Sequence, residues 1–279
     1  MIGSKMFNFF KNSNSVNYTY FNHTSPIPGG FFLDISKNQE TIKLISNLNP
    51  DLIIHTAALT NVDLCETNQK LANEINVEGT ANILDACKIT KSKFVYISTS
   101  FVFDGKQKKY SEDDATSPIN YYGVTKQKSE ELIQNSDLDY LILRTDQPYC
   151  WIESWQKDNS VVRVLKNLNL KNSHNEINDW KNNPTYVPDL INATKILIEL
   201  NKTGIYHLVG PDFVDRFSWS LQIAKIFGLN KNLIHSILSS TLNLPAKRPN
   251  VNLNNEKLFN ETGFSMRNID QGGLDMFKE

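Results

Sequence analysis

The sequence has little cysteine and no long apolar run. Its three cysteines, Cys65, Cys87 and Cys150, are widely spaced and include no CxxC pair, which excludes a disulfide framework and the common zinc patterns. Free buried thiols in a reducing, cytoplasmic setting are expected instead. The five histidines fall at no metal-ligand spacing, so no metal is expected. No stretch approaches the ~20 consecutive apolar residues that cross a bilayer. The opening segment Met1–Ser15 lacks a signal-peptide layout, so neither a membrane partner nor secretion is expected. A formal net charge of -1 gives no electrostatic reason to expect nucleic acid.

What is present is an ordinary globular composition, 40% hydrophobic and 21% charged over 279 residues, enough for one α/β unit or two closely joined lobes. β-branched and aromatic runs at Asn17–Phe21, Gly30–Leu33, Asp51–His55, Lys93–Ser98 and Asp139–Arg144 alternate with helical patterns, which predicts parallel strands joined by crossover helices. Leu52–Ile54 and Phe94–Ile97 are continuously apolar, as strands covered on both faces are. Between them Ala72, Ile75, Gly79, Ile83 and Ala86/Cys87 recur at helical spacing, predicting one buried stripe of a long helix. Beyond Arg144 the texture loosens around Trp151, Trp155 and Trp180. Regular structure returns as a helix over 188–200, a strand over 205–209 and a helix over 218–227 closed by Gly228. The expected division is a nucleotide-binding lobe over 1–145 and a smaller substrate lobe over 146–279, with some late segments rejoining the first sheet.

The chemistry concentrates at Tyr122-Gly-Val-Thr-Lys126. Positions four apart share one helix face, so a phenol and an ammonium can enter one site. A free tyrosine titrates near pH ~10, and a neighbouring cation is expected to lower that value and make the pair a general acid/base. Upstream, an apolar strand ends in Ser98-Thr99-Ser100, and strand C-terminal ends are where open α/β sheets bind ligands. A hydroxyl there can bond the substrate oxygen while the tyrosine moves its proton. The bland alternative, a solvated helix face after a packed strand, is less specific than this combination.

Four segments carry a resemblance: His55-Thr-Ala-Ala-Leu-Thr-Asn-Val-Asp63, Asn76-Val-Glu-Gly-Thr80, Ser98–Gly105 and Pro118–Lys126. Together they resemble the extended short-chain dehydrogenase/reductases, and within them the dTDP-4-dehydrorhamnose reductase group. Lys247-Arg-Pro-Asn-Val, with Leu253 and Lys257, is similar to a late segment of that group. The resemblance implies a Rossmann-type doubly wound parallel sheet with a smaller C-terminal substrate lobe. It implies Thr99 as the hydroxyl on the carbonyl, Tyr122 as proton donor, and Lys126 as the group that tunes Tyr122 and holds the nicotinamide ribose. Gly3, Thr56, Ala57, Ala58 and Thr60 would line NADP or NAD, and Asp34 with Ile35 would meet its adenine. A helix N-cap is the alternative role of Asp34. Ser100 and Arg248 would contact a nucleotide sugar, with Arg163 and Lys247 as weaker diphosphate candidates. A homodimer is compatible with this family.

The resemblance also limits the reaction. Dehydratases of the family carry an Asp-Glu pair where this chain has Ser100-Phe101, so simple reduction fits better than dehydration. A redox-neutral epimerase is one rival. A non-catalytic subunit is another, since the regulatory subunit of methionine adenosyltransferase resembles the same reductases. Met1-Ile2-Gly3-Ser4-Lys5-Met6 is similar to the end of a glycine-rich turn and the start of its helix, so the first strand and earlier glycines of the fold are not in the sequence. Either the sequence begins inside an ordinary reductase, the preferred expectation, or a shortened chain binds its cofactor weakly. Tyr20–Thr24 holds no acid at the position that selects NAD, which mildly favours NADP.

Overall fold

The computed structural model describes residues 1–21 and 29–279. The first half contains α1 (Ile2–Phe10), β1 (Thr19–Tyr20), β2 (Phe31–Phe32), α2 (Asn38–Leu48), β3 (Leu52–His55), α3 (Val62–Thr67), α4 (Gln69–Asn73), α5 (Gly79–Thr90), β4 (Lys93–Thr99), α6 (Tyr121–Gln134) and β5 (Tyr140–Thr145). The second half contains β6 (Pro148–Tyr149), α7 (Ser160–Asn169), β7 (His174–Ile177), β8 (Lys181–Asn182), β9 (Thr185–Tyr186), α8 (Val187–Glu199), β10 (Gly204–His207), β11 (Val214–Asp215), α9 (Arg216–Ile226), β12 (Ile234–Ile237), α10 (Glu256–Thr262) and α11 (Ile269–Lys278).

The central sheet runs β10-β5-β4-β3, and every pair in it is parallel. Parallel neighbours need crossovers, and helices on both faces supply them. Alternation along β4 divides the core. Val95 and Ile97 face α8 through Leu190, Ile191 and Leu197, whereas Phe94 and Tyr96 face Ile83, Ala86, Cys87 and Ile133. A further core joins α7, α9 and α11 through Leu165, Trp219, Ile223 and Met276. β1 and β2 pair with each other; among the described residues, β3 is the outer strand of the main sheet and does not pair with β1.

The predicted strands and helices fall where the sequence places them, with two informative differences. The long helix expected between β3 and β4 is interrupted by a π-helical turn over Glu74–Glu78. Its cause is tertiary: Asn76 is drawn out of helical register by bonds to the loop after β3, as described below. The strand expected over 205–209 ends at His207, because the chain then leaves the sheet to carry β11 toward β8.

All three cysteines are free and buried. Burial pushes Cys65 and Cys150 up to about 11 and Cys87 up to about 12, so their thiols are unreactive near neutrality. Among the described residues no helix is long and apolar enough to cross a membrane.

Candidate active site

The site forms where β4 ends. Thr99 closes the strand and its Oγ1 accepts the Phe101 N–H at 3.3 Å, starting the tight turn Ser100–Val102. α6 then begins at Asn120, whose side chain accepts the Gly123 N–H at 2.8 Å, an N-cap of the favoured kind. Gly123 allows this helix to touch the turn: a Cβ there would lie 2.1 Å from the Phe101 carbonyl oxygen. That close approach brings Tyr122 near Thr99, whose hydroxyl holds the phenol's pKa down. Burial acts more strongly in the other direction, with smaller upward pushes from Cys65 and Asp146, so the phenol ends above its ordinary value. It is protonated near neutrality, the state a proton donor needs.

Lys126 lies one turn further along α6 and is only 2% exposed. Its Nζ donates to the Ile97 carbonyl at 2.7 Å and sits 3.9 Å from the centre of the Tyr96 ring. Burial brings its pKa down to about 7, against an upward push from Glu130. The expectation that this ammonium acidifies Tyr122 is corrected by these contacts. A buried cation must find acceptors, and Lys126 finds the Ile97 carbonyl and the Tyr96 ring; the hydroxyl of Thr99 is what lowers the phenol.

Behind the pair lies a buried ionic network. Glu130 receives three bonds from Arg144, the shortest 2.7 Å from Nη2, and a further one from Ser98 Oγ at 2.5 Å. Arg144 also donates to the Glu112 carbonyl at 3.2 Å. These links tie α6 to the ends of β4 and β5 and fix the helix that carries Tyr122 and Lys126.

The loop after β3 is held by Asn76. Its Oδ1 accepts the Leu59 N–H at 2.7 Å, while its Nδ2 donates to the Leu59 carbonyl at 3.1 Å and to Thr125 Oγ1 at 2.9 Å. One buried amide thus joins the cofactor-side loop to α6. A π turn at such a site is a recurring device, and the sequence showed the asparagine without its role.

Small or short side chains fit the approach of a dinucleotide here. A Cβ on Gly3 would lie 2.6 Å from Thr56 Oγ1, so α1 and the end of β3 meet only because that position is glycine. Thr56 and Ala58 are half-buried, and Ala57 and Thr60 are exposed, leaving the strand end open. α1 has no acidic residue in its first turn, so its N-terminal dipole can receive an anion. Asp34 is not the cap of α2: Lys37 holds that position without a side-chain bond. Asp34 Oδ1 instead accepts from Ser36 N–H at 3.0 Å and Ser36 Oγ at 2.7 Å. Ile35 packs toward Gly79 and the α5 core, a structural contact. The cofactor-selecting stretch Tyr20–Thr24 lies, from residue 22 onward, outside the described residues.

On the opposite side the substrate candidates part company. Arg248 pairs with Asp63 at 2.7 Å and donates to the Ala246 carbonyl at 2.8 Å. Arg163 is committed to Glu176 at 2.9 Å, and Trp151 to the Met276 carbonyl at 2.6 Å. Ser100 is fully buried in the turn after β4. Trp180 packs beside the site. Its ring lies 6.2 Å from that of Phe101, which meets Tyr122 edge-on at 6.1 Å, and the guanidinium carbons of Arg216 and Arg248 lie 5.1 and 5.9 Å from its centre.

The sequence profile described as "RmlD substrate binding domain" matches residues 1–279. The chain belongs to this family. Within reach of the RmlD family profile, the chain is 31% identical over 239 residues to a dTDP-4-dehydrorhamnose reductase of Salmonella typhimurium, covering 80% of this chain and 78% of the relative. It is 28% identical over 222 residues to methionine adenosyltransferase 2 subunit beta of Rattus norvegicus, where the match covers 77% of this chain and 66% of that protein. A solved dTDP-4-dehydrorhamnose reductase from Bacillus anthracis in complex with NADP superposes with a TM-score of 0.82 at 27% identity, over 88% of this chain and 86% of that one. The Rossmann-type parallel sheet expected from the sequence is therefore the family's fold.

Two imidazoles in this region weaken the fold in acid. His55 and His207 are buried, and burial first, then the charges of Lys126 and Arg144 respectively, pushes each down to about 3. A base whose folded pKa lies below its unfolded value of ~6.5 stabilises the fold fully above ~6.5, and that contribution is lost as pH falls toward 3. At pH ~4.5 each histidine therefore withdraws about 3 kcal/mol. Asp146, whose pKa burial raises to about 7, acts in the opposite direction over this window, so the urea midpoint of His207→Gln is expected to fall less between pH ~6.5 and ~4.5 than that of the wild type; parallel falls contradict the assignment.

Proposed function

We propose that this chain is an NADPH- or NADH-dependent reductase of a 4-keto sugar nucleotide of the dTDP-4-dehydrorhamnose type, working in the cytoplasm. The observation that carries the reading is the close packing of α6 on the turn after β4, which brings the Tyr122 phenol near Thr99, with Lys126 one helical turn further along α6. A carbonyl oxygen placed between two such hydroxyls is polarised by Thr99 and protonated by Tyr122, whose raised pKa keeps its proton until negative charge develops on that oxygen. Gly3, Thr56, Ala57, Ala58 and Thr60 would receive the dinucleotide backbone, and Asp34 with Ile35 its adenine end. Lys126 would hold the nicotinamide ribose. The bound nicotinamide supplies the hydride. The relative solved with NADP supports the phosphorylated cofactor. Residues 1–145 would serve the cofactor and 146–279 mainly the sugar nucleotide.

The rat relative favours a second reading, a non-catalytic subunit on the same fold, and fold alone does not decide function. Mixing the protein with NADPH and dTDP-4-keto-6-deoxyglucose separates the two. The reductase reading expects absorbance at 340 nm to fall in proportion to sugar consumed; bound NADPH that stays unoxidised at saturating sugar contradicts it.

A further inference from the structure

Six buried side-chain polar atoms among the described residues have no hydrogen-bond partner, and three of them, Ser100 Oγ, Thr145 Oγ1 and Asn182 Oδ1, belong to residues around the end of β5. Ser100 follows Thr99 directly, and Thr145 is registered beside Thr99 across the parallel pair of β4 and β5, a separation of about 5 Å. Paired positions share a sheet face, so Thr145 lies beside the proposed carbonyl site. Buried polar groups left unpaired are costly in a finished fold, and a cluster of them at the C-terminal end of a parallel sheet, where such folds bind ligands, is a request for a ligand.

Asp146 sits at the centre of this cluster. It is 5% exposed, and Oδ2 accepts the Asn183 N–H at 3.0 Å. Ser100 and Asn182 lie close enough to steady its charge, as does Arg216 at longer range, although burial outweighs them and raises its pKa to about 7. Its charge is felt by Tyr122. The next residue, Gln147, has φ of 39°, left-handed backbone that a glutamine adopts only under constraint. That residue is anchored by Arg216 Nη1 at 2.8 Å, so the turn aiming Asp146 is fixed from the second half of the chain.

A carboxyl group beside a serine hydroxyl and a carboxamide disfavours phosphate and suits neutral hydroxyl donors. Resting on the reductase reading above, we infer that Asp146, with Ser100 and Asn182, forms a subsite that reads the hydroxyl on the sugar carbon next to the carbonyl. Asp146 accepts from that hydroxyl, and the hydroxyl oxygen in turn accepts from Ser100. The substrate is therefore a keto sugar that keeps its neighbouring hydroxyl, and a sugar deoxygenated at that carbon is rejected.

Calorimetric titration of the intact protein, preloaded with NADP, against dTDP-4-keto-6-deoxyglucose and its 3-deoxy counterpart tests this. The wild type is expected to bind the hydroxylated sugar about 30-fold more tightly, the preference a hydrogen bond to a charged group supports. Asp146→Ala reduces the preference below threefold by weakening only the hydroxylated sugar, and the near-isosteric Asp146→Asn, with an unchanged melting temperature, lies between. Equal wild-type affinities, or an Asp146→Ala loss that is the same for both sugars, overturns the subsite. NADPH oxidation read in parallel samples loaded with NADPH instead keeps the two ideas apart. A protein that prefers the hydroxylated sugar but oxidises no NADPH sinks the reductase reading and leaves the subsite standing, whereas one that reduces both sugars with equal affinity does the reverse.

Discussion

Tyr122→Phe is expected to lower kcat for reduction of dTDP-4-keto-6-deoxyglucose by about 10³-fold, the range that removal of a general acid produces. The substitution deletes one oxygen and keeps the ring, so the edge contact with Phe101 survives and the fold has no reason to change. NADPH affinity should stay within about fivefold, because a single neutral hydrogen bond from the phenol contributes only about 1 kcal/mol. Stopped-flow absorbance at 340 nm together with NADPH fluorescence titration separates the two quantities. A variant that loses cofactor binding in parallel with turnover would place Tyr122 in binding rather than in proton transfer.

The second large effect concerns stability. Glu130→Ala is expected to cost about 3–5 kcal/mol, the range for stripping one partner from a buried ion pair. Arg144 and Glu130 are 3% and 2% exposed at the side chain, so the guanidinium left behind cannot rehydrate. Lys126 loses its nearby negative charge at the same time, and Ser98 loses its acceptor. Urea unfolding should show a much lower midpoint with an unchanged slope. A loss under 1 kcal/mol would mean that water reaches Arg144 and that the network does not brace α6.

The trio was legible in the sequence because its geometry is local. Tyr122 and Lys126 are one turn apart on a helix whose start is marked by Asn120, and Thr99 ends an apolar run that could only be an interior strand. The alternating faces of β4 and the burial of Ala72, Ile83, Ala86 and Cys87 were legible for the same reason. What could not be read is set by contacts distant in the chain. The π turn at Asn76 depends on Leu59 and on Thr125, 49 residues away. Asp146 takes its meaning from Asn183, 37 residues on, and Gln147 is held by Arg216 across 69 residues. Arg248 looked like a diphosphate ligand by its neighbours in sequence, but its closest anion in space is Asp63. The direction of the Tyr122 shift is not legible from spacing, which shows that two groups share a face but not which acceptor a buried ammonium takes.

Net reduction, rather than isomerisation or ligand storage, is what the proposed function requires, and isotope transfer tests it most directly. With NADPH deuterated at the transferable C4 position and dTDP-4-keto-6-deoxyglucose, the wild type should give a sugar nucleotide carrying one deuterium at its former carbonyl carbon, and Tyr122→Phe should give almost none in the same time. Product that is epimerised without deuterium, or sugar recovered unchanged beside intact NADPH, would contradict the account.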